Sequence, residues 1–176
     1  RQISAALGGR LRPSSAWCFS RTAQEPIDEY ILGGSDYVGV GAGAFSFVDG
    51  TLYANAYSLA AYEAAVDRGR HSASASRSFG RRDRMRYSFL MSLFGLMLDK
   101  GAFRRRHGVT VEWGLPVEMA FMRLARAFDR DDEQALTLTP MGRYLLVAMM
   151  REFFVGVGRL RDQARRALGA PDATLA

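Results

Sequence analysis

The chain has 176 residues, 48% of them hydrophobic, enough for one domain or for a domain piece with a small domain attached. The most apolar run, Tyr144 to Met150, falls well short of the roughly 18 residues of a transmembrane helix, and the N-terminus has no apolar signal-peptide core, so a soluble, cytoplasmic protein without a membrane span is expected. The formal charge of +6 is almost wholly arginine, with Lys100 the sole lysine, a bias that reads as GC-rich codon usage rather than as a nucleic-acid surface.

The opening Arg1 and the run RQISAALGGRLRPSS read as mid-protein sequence, so a fragment is expected. Ser15–Phe19 (SAWCF) and Tyr37–Gly41 (YVGVG) are short, apolar and bounded by turn residues, and predict buried strands. Asp49-Gly50 is a turn signal between Phe45–Val48 and Leu52–Ala54, which predicts a hairpin. Ser58 is placed to cap a helix running to Arg68, with Gly69 closing it. His71 to Gly80 is rich in serine and arginine and predicts an exposed loop. A second helix is expected over Arg82–Leu98, striped by Met85, Phe89, Leu93 and Leu96. A short helix over Ala102–His107 should end at Gly108.

The next helix starts near Gly114 with Pro116 in its first turn, and Val117, Phe121, Leu124, Ala125 and Phe128 are expected to line its core face. An acidic turn covers Asp129–Glu133, and Leu136–Thr139 alternates as a short strand. Thr139 with Pro140 then starts a long helix to about Leu168, in which Gly156 and Gly158 each cost roughly 1 kcal/mol relative to alanine. The helix–helix–strand–helix order from Ala102 onward outlines a winged-helix module.

Chemistry-bearing residues are sparse. Cys18 is the only cysteine, which excludes a disulfide framework and a cysteine zinc site and leaves a buried strand residue as its expected role. His71 and His107 are expected at surface or helix-end positions. No carboxylate pair, Ser/His/Asp set or metal cluster stands out, so no catalytic residue and no metal ligand is assigned. Arg77, Arg81, Arg82, Arg84 and Arg86 could bind carboxylates or phosphates, or form a solvated face. The winged-helix outline raises a nucleic-acid binder as a weak alternative, but the helix that would read bases offers only Arg123 and Arg126 as polar readers, and no nucleic-acid partner is expected. The aromatic and methionine residues of the last helix fit an apolar substrate wall as well as simple packing.

The strongest candidate is Gly39-Val-Gly-Ala-Gly43-Ala-Phe45-Ser-Phe47. Glycines at a strand end let a ligand approach the backbone, and free N–H groups there could bind an acceptor; the same pattern suits a tight turn equally well. It is not a dinucleotide fingerprint, because the third glycine comes too early and a hairpin follows instead of a helix.

The run Tyr37-Val-Gly-Val-Gly-Ala-Gly-Ala-Phe-Ser46, the turn Asp49-Gly50, Leu52-Tyr-Ala-Asn55 and a helix containing Tyr62 resemble the end of the catalytic barrel in oxygen-independent coproporphyrinogen III oxidases, the HemN family of radical SAM proteins. Arg81-Arg-Asp83 opening a helix, the short helix before Gly108, and Leu136-Thr-Leu-Thr-Pro-Met-Gly-Arg143 extend the similarity over about Ser15–Arg166. The resemblance implies an α/β fold: the terminal strands of an incomplete (β/α) radical SAM barrel over residues 1–57, followed by a mainly helical, winged-helix-like C-terminal domain over 58–176.

It also implies S-adenosylmethionine and a 4Fe-4S cluster as cofactors of the full-length protein. Three cysteines in the family hold the cluster, which cleaves S-adenosylmethionine to a radical that abstracts hydrogen from substrate. Those cysteines are not in this chain, so the chain alone is expected to be inactive. The S-adenosylmethionine contact implied by the resemblance falls on Phe45, with Gly43 and Ala44 as neighbouring backbone. Relatives usually carry His or an aliphatic residue there, and Phe keeps bulk without His's donor. The implied partners are a tetrapyrrole or quinone-like substrate and an electron donor. The family also contains methyltransferases of menaquinone or haem and non-catalytic haem chaperones. The last helix, Gly142 to Phe154 with Arg161–Arg165, resembles the divergent, methyltransferase-like members.

Overall fold

The computed structural model describes residues 11–16, 18–21 and 36–149. They fall in two compact units, one holding Asp36–Arg81 and the other Arg82 onward with the N-terminal hairpin. The fold is mixed α/β with small sheets, and every ladder among the described residues is antiparallel.

The second unit begins with a minimal hairpin, β1 (Arg12–Pro13) against β2 (Phe19–Ser20). The strand expected over residues 15–19 is therefore confined to its last residue. Ser15, itself buried, accepts the Cys18 amide on its side chain (3.1 Å), and the Ser14 amide donates to the Cys18 carbonyl (3.0 Å), which closes a tight turn where a strand was expected.

In the first unit, β3 (Phe45–Val48) and β4 (Thr51–Asn55) form the expected hairpin. Asp49 and Gly50 both have positive φ (46° and 72°), the two-residue turn whose twist suits flanking strands. α1 (Leu59–Asp67) starts at Ser58, whose hydroxyl accepts from the Ala61 amide at 3.3 Å. Residues 73–78 then add a third strand, β5 (Ala73–Ser78), in the order β3–β4–β5. The expectation of a loop over 71–80 is corrected here. Small Ser and Ala side chains carry little strand signal, and only Ala75 is buried, but β4's outer edge supplies partners for the backbone. The expected division after residue 57 falls between β4 and α1. The core of this unit is Phe47, Ala54 and Ala75, with Phe79 packed edge-on to Phe47 at 5.5 Å.

The larger unit continues with α2 (Arg81–Phe94), which buries Met85, Phe89 and Leu93 as its stripe predicts. It stops four residues short of the predicted end. Leu96 takes a left-handed conformation (φ 76°), and the chain enters β6 (Met97–Asp99), which pairs with the downstream strand. Asp99 caps α3 (Lys100–His107) by accepting the Ala102 amide at 2.8 Å, and left-handed Gly108 ends it. The turn α4 (Val111–Gly114), absent from the sequence prediction, leads to α5 (Pro116–Leu124). β7 (Phe128–Asp131) and β8 (Ala135–Leu138) complete a sheet of order β6–β8–β7. The acidic turn between them is organised by Asp132, which accepts the amides of Gln134 (2.8 Å) and Ala135 (2.9 Å).

A helix follows over 140–149, capped by Thr139, whose hydroxyl accepts from the Gly142 amide at 3.0 Å. The rest of the expected long helix, with Gly156, Gly158 and the basic cluster Arg159–Arg166, lies outside the described residues. Leu93, Leu98, Val111, Leu115, Met119, Met122, Leu136 and Leu146 are fully buried and form this unit's core. No helix among the described residues is long and apolar enough to cross a membrane.

One expectation about α5 is reversed. Val117, Phe121 and Leu124, expected at the core, are 66%, 50% and 86% exposed, while Met119 and Met122 are buried. Both faces of this helix are apolar, so helical periodicity marks two stripes and the surrounding elements choose between them.

Candidate functional site

The glycine run is not a strand. Tyr37 makes a single bridge to Phe47, its amide donating to the Phe47 carbonyl (2.8 Å) and its carbonyl accepting in return (2.9 Å). The chain then leaves the sheet. Gly41 and Gly43 have φ of 109° and 71°, a backbone that L side chains resist, so the predicted strand becomes a folded loop over residues 39–44.

Each inward group of this loop is bound. The Gly39 amide donates to Ser46 Oγ (3.1 Å) and the Gly41 amide to the Tyr62 hydroxyl (3.1 Å). The Gly43 amide donates to the Ala56 carbonyl (2.9 Å) and the Ala44 amide to the Gly41 carbonyl (3.3 Å). Asn55 Nδ2 donates to the carbonyls of Gly39 (3.2 Å) and Gly41 (3.0 Å), and the Asn55 backbone amide donates to the Ala44 carbonyl (2.9 Å). The glycine amides are therefore spent within the protein, which corrects the expectation that they stand free for a ligand. Glycine serves another purpose here. A Cβ on Gly39 would lie 2.2 Å from the Phe45 carbonyl oxygen, and one on Gly43 would lie 2.9 Å from the Tyr57 ring. The chain crosses itself at a distance only glycine permits.

The loop's outward surface is different. Val38, Val40 and Ala42 alternate with the inward residues and are exposed, the two valines at 71% and 85%. Phe45 opens β3 and is half-buried, as are Gly43 and Ala44, so the three predicted contact residues lie together where loop meets strand. Ser46, Asn55 and Tyr62 hold that place, and sequence reasoning gave none of them a role. The available signal was their type: a hydroxyl and a carboxamide beside a glycine run are the groups that satisfy an irregular backbone.

Arg81, Arg82, Arg84, Arg86 and His107 are held in structural contacts. Arg86 donates to Glu118 Oε1 at 2.7 Å and sits 3.6 Å from Asp83, while Arg82 is 3.6 Å from the second Glu118 oxygen. Arg81 and Arg84 also have partners. His107 hydrogen-bonds the buried Ser88 through Nε2 at 3.0 Å and packs 4.6 Å from the Phe103 ring, so it is a helix-end residue tied to α2. No group of three or more His, Cys, Asp or Glu among the described residues is placed to hold a metal.

The sole lysine has a structural use. Lys100 Nζ lies 2.7 Å from Glu112 and 2.9 Å from Asp131, and Arg123 donates to Asp131 at 2.7 Å. Burial works against the Lys100 charge, yet the bonds it donates to Glu112 and Asp131 outweigh it and raise its pKa. Arg123, then Lys100, hold the Asp131 carboxyl below its ordinary value. Burial opposes the Glu112 charge, but Lys100 lowers its pKa overall. Carboxylates with depressed pKa stabilise the fold above their unfolded value, and that contribution is lost as pH falls through about 4 and below. Lys100→Met should therefore destabilise the chain at pH 7 by about 1–2 kcal/mol, since the site is only partly buried. The gap between the two proteins should close as the pH of a urea titration drops below about 4; a pH-independent gap would assign the loss to packing instead.

No protein-family model matches the chain, and no curated protein matches it. Among solved structures, its fold is similar to that of coproporphyrinogen III oxidase (HemN) from Escherichia coli, described as a radical SAM enzyme. The TM-score is 0.60 at 19% identity, and the match covers 82% of this chain and 37% of that one. The chain thus spans little more than a third of the length of the enzyme it resembles, and over most of its own length it has a HemN-like fold.

Proposed function

We propose that this chain is the C-terminal part of a HemN-like radical SAM enzyme, with Gly43, Ala44 and Phe45 at the S-adenosylmethionine. The observation that carries the proposal is the fold likeness over 82% of the chain. In this reading residues 1–57 close an incomplete (β/α) barrel, and residues 58–176 form the helical C-terminal domain, with the β6–β8–β7 sheet and α3–α5 as its winged-helix-like core. The substrate is a tetrapyrrole or a quinone-like apolar molecule, the enzyme is cytoplasmic, and an electron donor serves its cluster. The outward face of α5, with Val117, Phe121 and Leu124 exposed, supports an apolar partner over a nucleic acid, because its one arginine, Arg123, is already bonded to Asp131. The sequence from Gly142 to Phe154 resembles methyltransferase-like members, which favours methyl transfer to menaquinone or haem as the second reading.

The residues of the loop suit S-adenosylmethionine. Phe45 offers an aromatic surface, and the exposed residues Val40 and Ala42, whose amides have no partner among the described residues, offer donors to a polar edge. The cluster does not fit this chain: one cysteine, Cys18, cannot supply three ligands. Bound together, cluster and S-adenosylmethionine would supply radical chemistry. The task left to these residues is to hold the cofactor and exclude water.

Two measurements test the reading. The gene upstream should encode a C-x3-C-x2-C motif, and a full-length protein without one would overturn the enzyme assignment. In the full-length protein Phe45→Asp should weaken S-adenosylmethionine binding at least roughly tenfold in equilibrium dialysis, since a charge replaces an apolar contact surface. Unchanged affinity would remove Phe45 from the site.

A further inference from the structure

We infer that Asn55 and Tyr62 are positioning residues that clamp the 39–45 loop, so that Gly43, Ala44 and Phe45 meet the cofactor in one conformation. The inference rests on the S-adenosylmethionine reading of this loop. Asn55 is the last residue of β4, immediately past the register shift between Ala54 and Asn55. From there its single side-chain nitrogen donates to two loop carbonyls, Gly39 at 3.2 Å and Gly41 at 3.0 Å. Its backbone amide reaches a third, Ala44 at 2.9 Å. Tyr62 lies one turn into α1, whose start Ser58 fixes, and its hydroxyl accepts the Gly41 amide at 3.1 Å. Both backbone polar groups of Gly41 are thus held by side chains from outside the loop.

The chemistry of the clamp is specific. A carboxamide nitrogen carries two N–H donors and matches two converging carbonyls. Aspartate has the same shape but, when ionised, donates nothing and would repel both oxygens. Gly41 has φ 109° and nothing within 4 Å of a Cβ position, so no neighbour on that side confines it. The bonds to Asn55 and Tyr62 do so instead, and through the Ala44 carbonyl they reach the residue next to Phe45.

The test uses the full-length protein with its cluster for both binding and amide exchange. Tyr62→Phe and Asn55→Asp should each weaken S-adenosylmethionine binding roughly tenfold at pH 8, the effect of losing a part-buried hydrogen bond. Exchange at Gly39 and Gly41 should quicken in both. A carboxyl facing two carbonyls has its pKa raised, and once protonated it regains a donor. The Asn55→Asp deficit should therefore shrink as pH is lowered toward about 5.5, whereas that of Asn55→Ala should not. A role limited to stability would move the unfolding midpoint without this pH profile. If the unsubstituted protein does not bind S-adenosylmethionine, the cofactor reading and the clamp's role fall together. If it binds and the variants bind equally well, or Asn55→Asp tracks Asn55→Ala at every pH, the clamp falls alone. Should Asn55→Asp fail to fold, Tyr62→Phe, which removes one oxygen, decides by itself.

Discussion

Replacing Gly142 with alanine is expected to destabilise the 176-residue chain by about 3 kcal/mol, although the residue lies in the first turn of a helix, where alanine normally improves stability by up to about 1 kcal/mol. The reason is where the helix begins. Thr139 caps it through the Gly142 amide (3.0 Å), and the Thr139 amide and hydroxyl both donate to the Ala127 carbonyl, at 2.9 and 3.2 Å. That carbonyl is drawn onto the helix so closely that a Cβ at residue 142 would sit 2.0 Å from its oxygen and 2.8 Å from its carbon. Both atoms are backbone, and Ala127 is fully buried, so no rotamer can relieve the contact. Either the cap breaks or the entry to β7 moves. Each alternative outweighs the propensity gain. Urea denaturation followed by circular dichroism measures the loss, and a Gly142→Ala protein as stable as the parent would show that helix and Ala127 are not packed this closely.

Gly39→Ala should have the second large effect, local where the first is global. Here φ is unexceptional and the obstacle is contact: a Cβ would lie 2.2 Å from the Phe45 oxygen, 2.9 Å from its carbon and 3.0 Å from Ala44 Cβ. The loop must open, and in opening it gives up the Ser46 and Asn55 bonds made by Gly39 itself. With two part-buried hydrogen bonds lost, S-adenosylmethionine binding by the full-length protein should fall by roughly a hundredfold. Gly41→Ala supplies the contrast. No atom lies within 4 Å of its Cβ position, and it pays only for φ 109°, a strain of order 1–3 kcal/mol that leaves the crossing intact. Amide exchange should show Gly39→Ala releasing the whole loop and Gly41→Ala loosening its tip. Equal effects at the two positions would mean that conformational strain, not the chain crossing, sets the loop's shape.

Both predictions concern glycines whose importance lies in a distant carbonyl, and this separates what could be read from residues alone from what could not. The Asp49-Gly50 turn, the Ser58 cap, the stop at Gly108 and the Thr139 cap were all legible in the sequence, and each is settled by atoms within about four residues of one another. The resemblance carried by Tyr37–Ser46, Leu52–Asn55 and Leu136–Arg143 likewise anticipated a HemN-like fold that the structural match supports.

Elsewhere the deciding atoms are far away in the chain. β5 is a strand because β4 offers it an edge, and β6 is a strand because β8 does, across almost forty residues. α5 carries apolar residues on both faces, and the choice to bury Met119 and Met122 while exposing Val117, Phe121 and Leu124 was made by the elements around it. The glycine run reads equally well as a strand end with free amides or as a closed loop. Asn55 and Tyr62, arriving from β4 and α1, close it, because backbone donors and acceptors taken from water must find partners and these side chains are the ones the tertiary structure brings within reach.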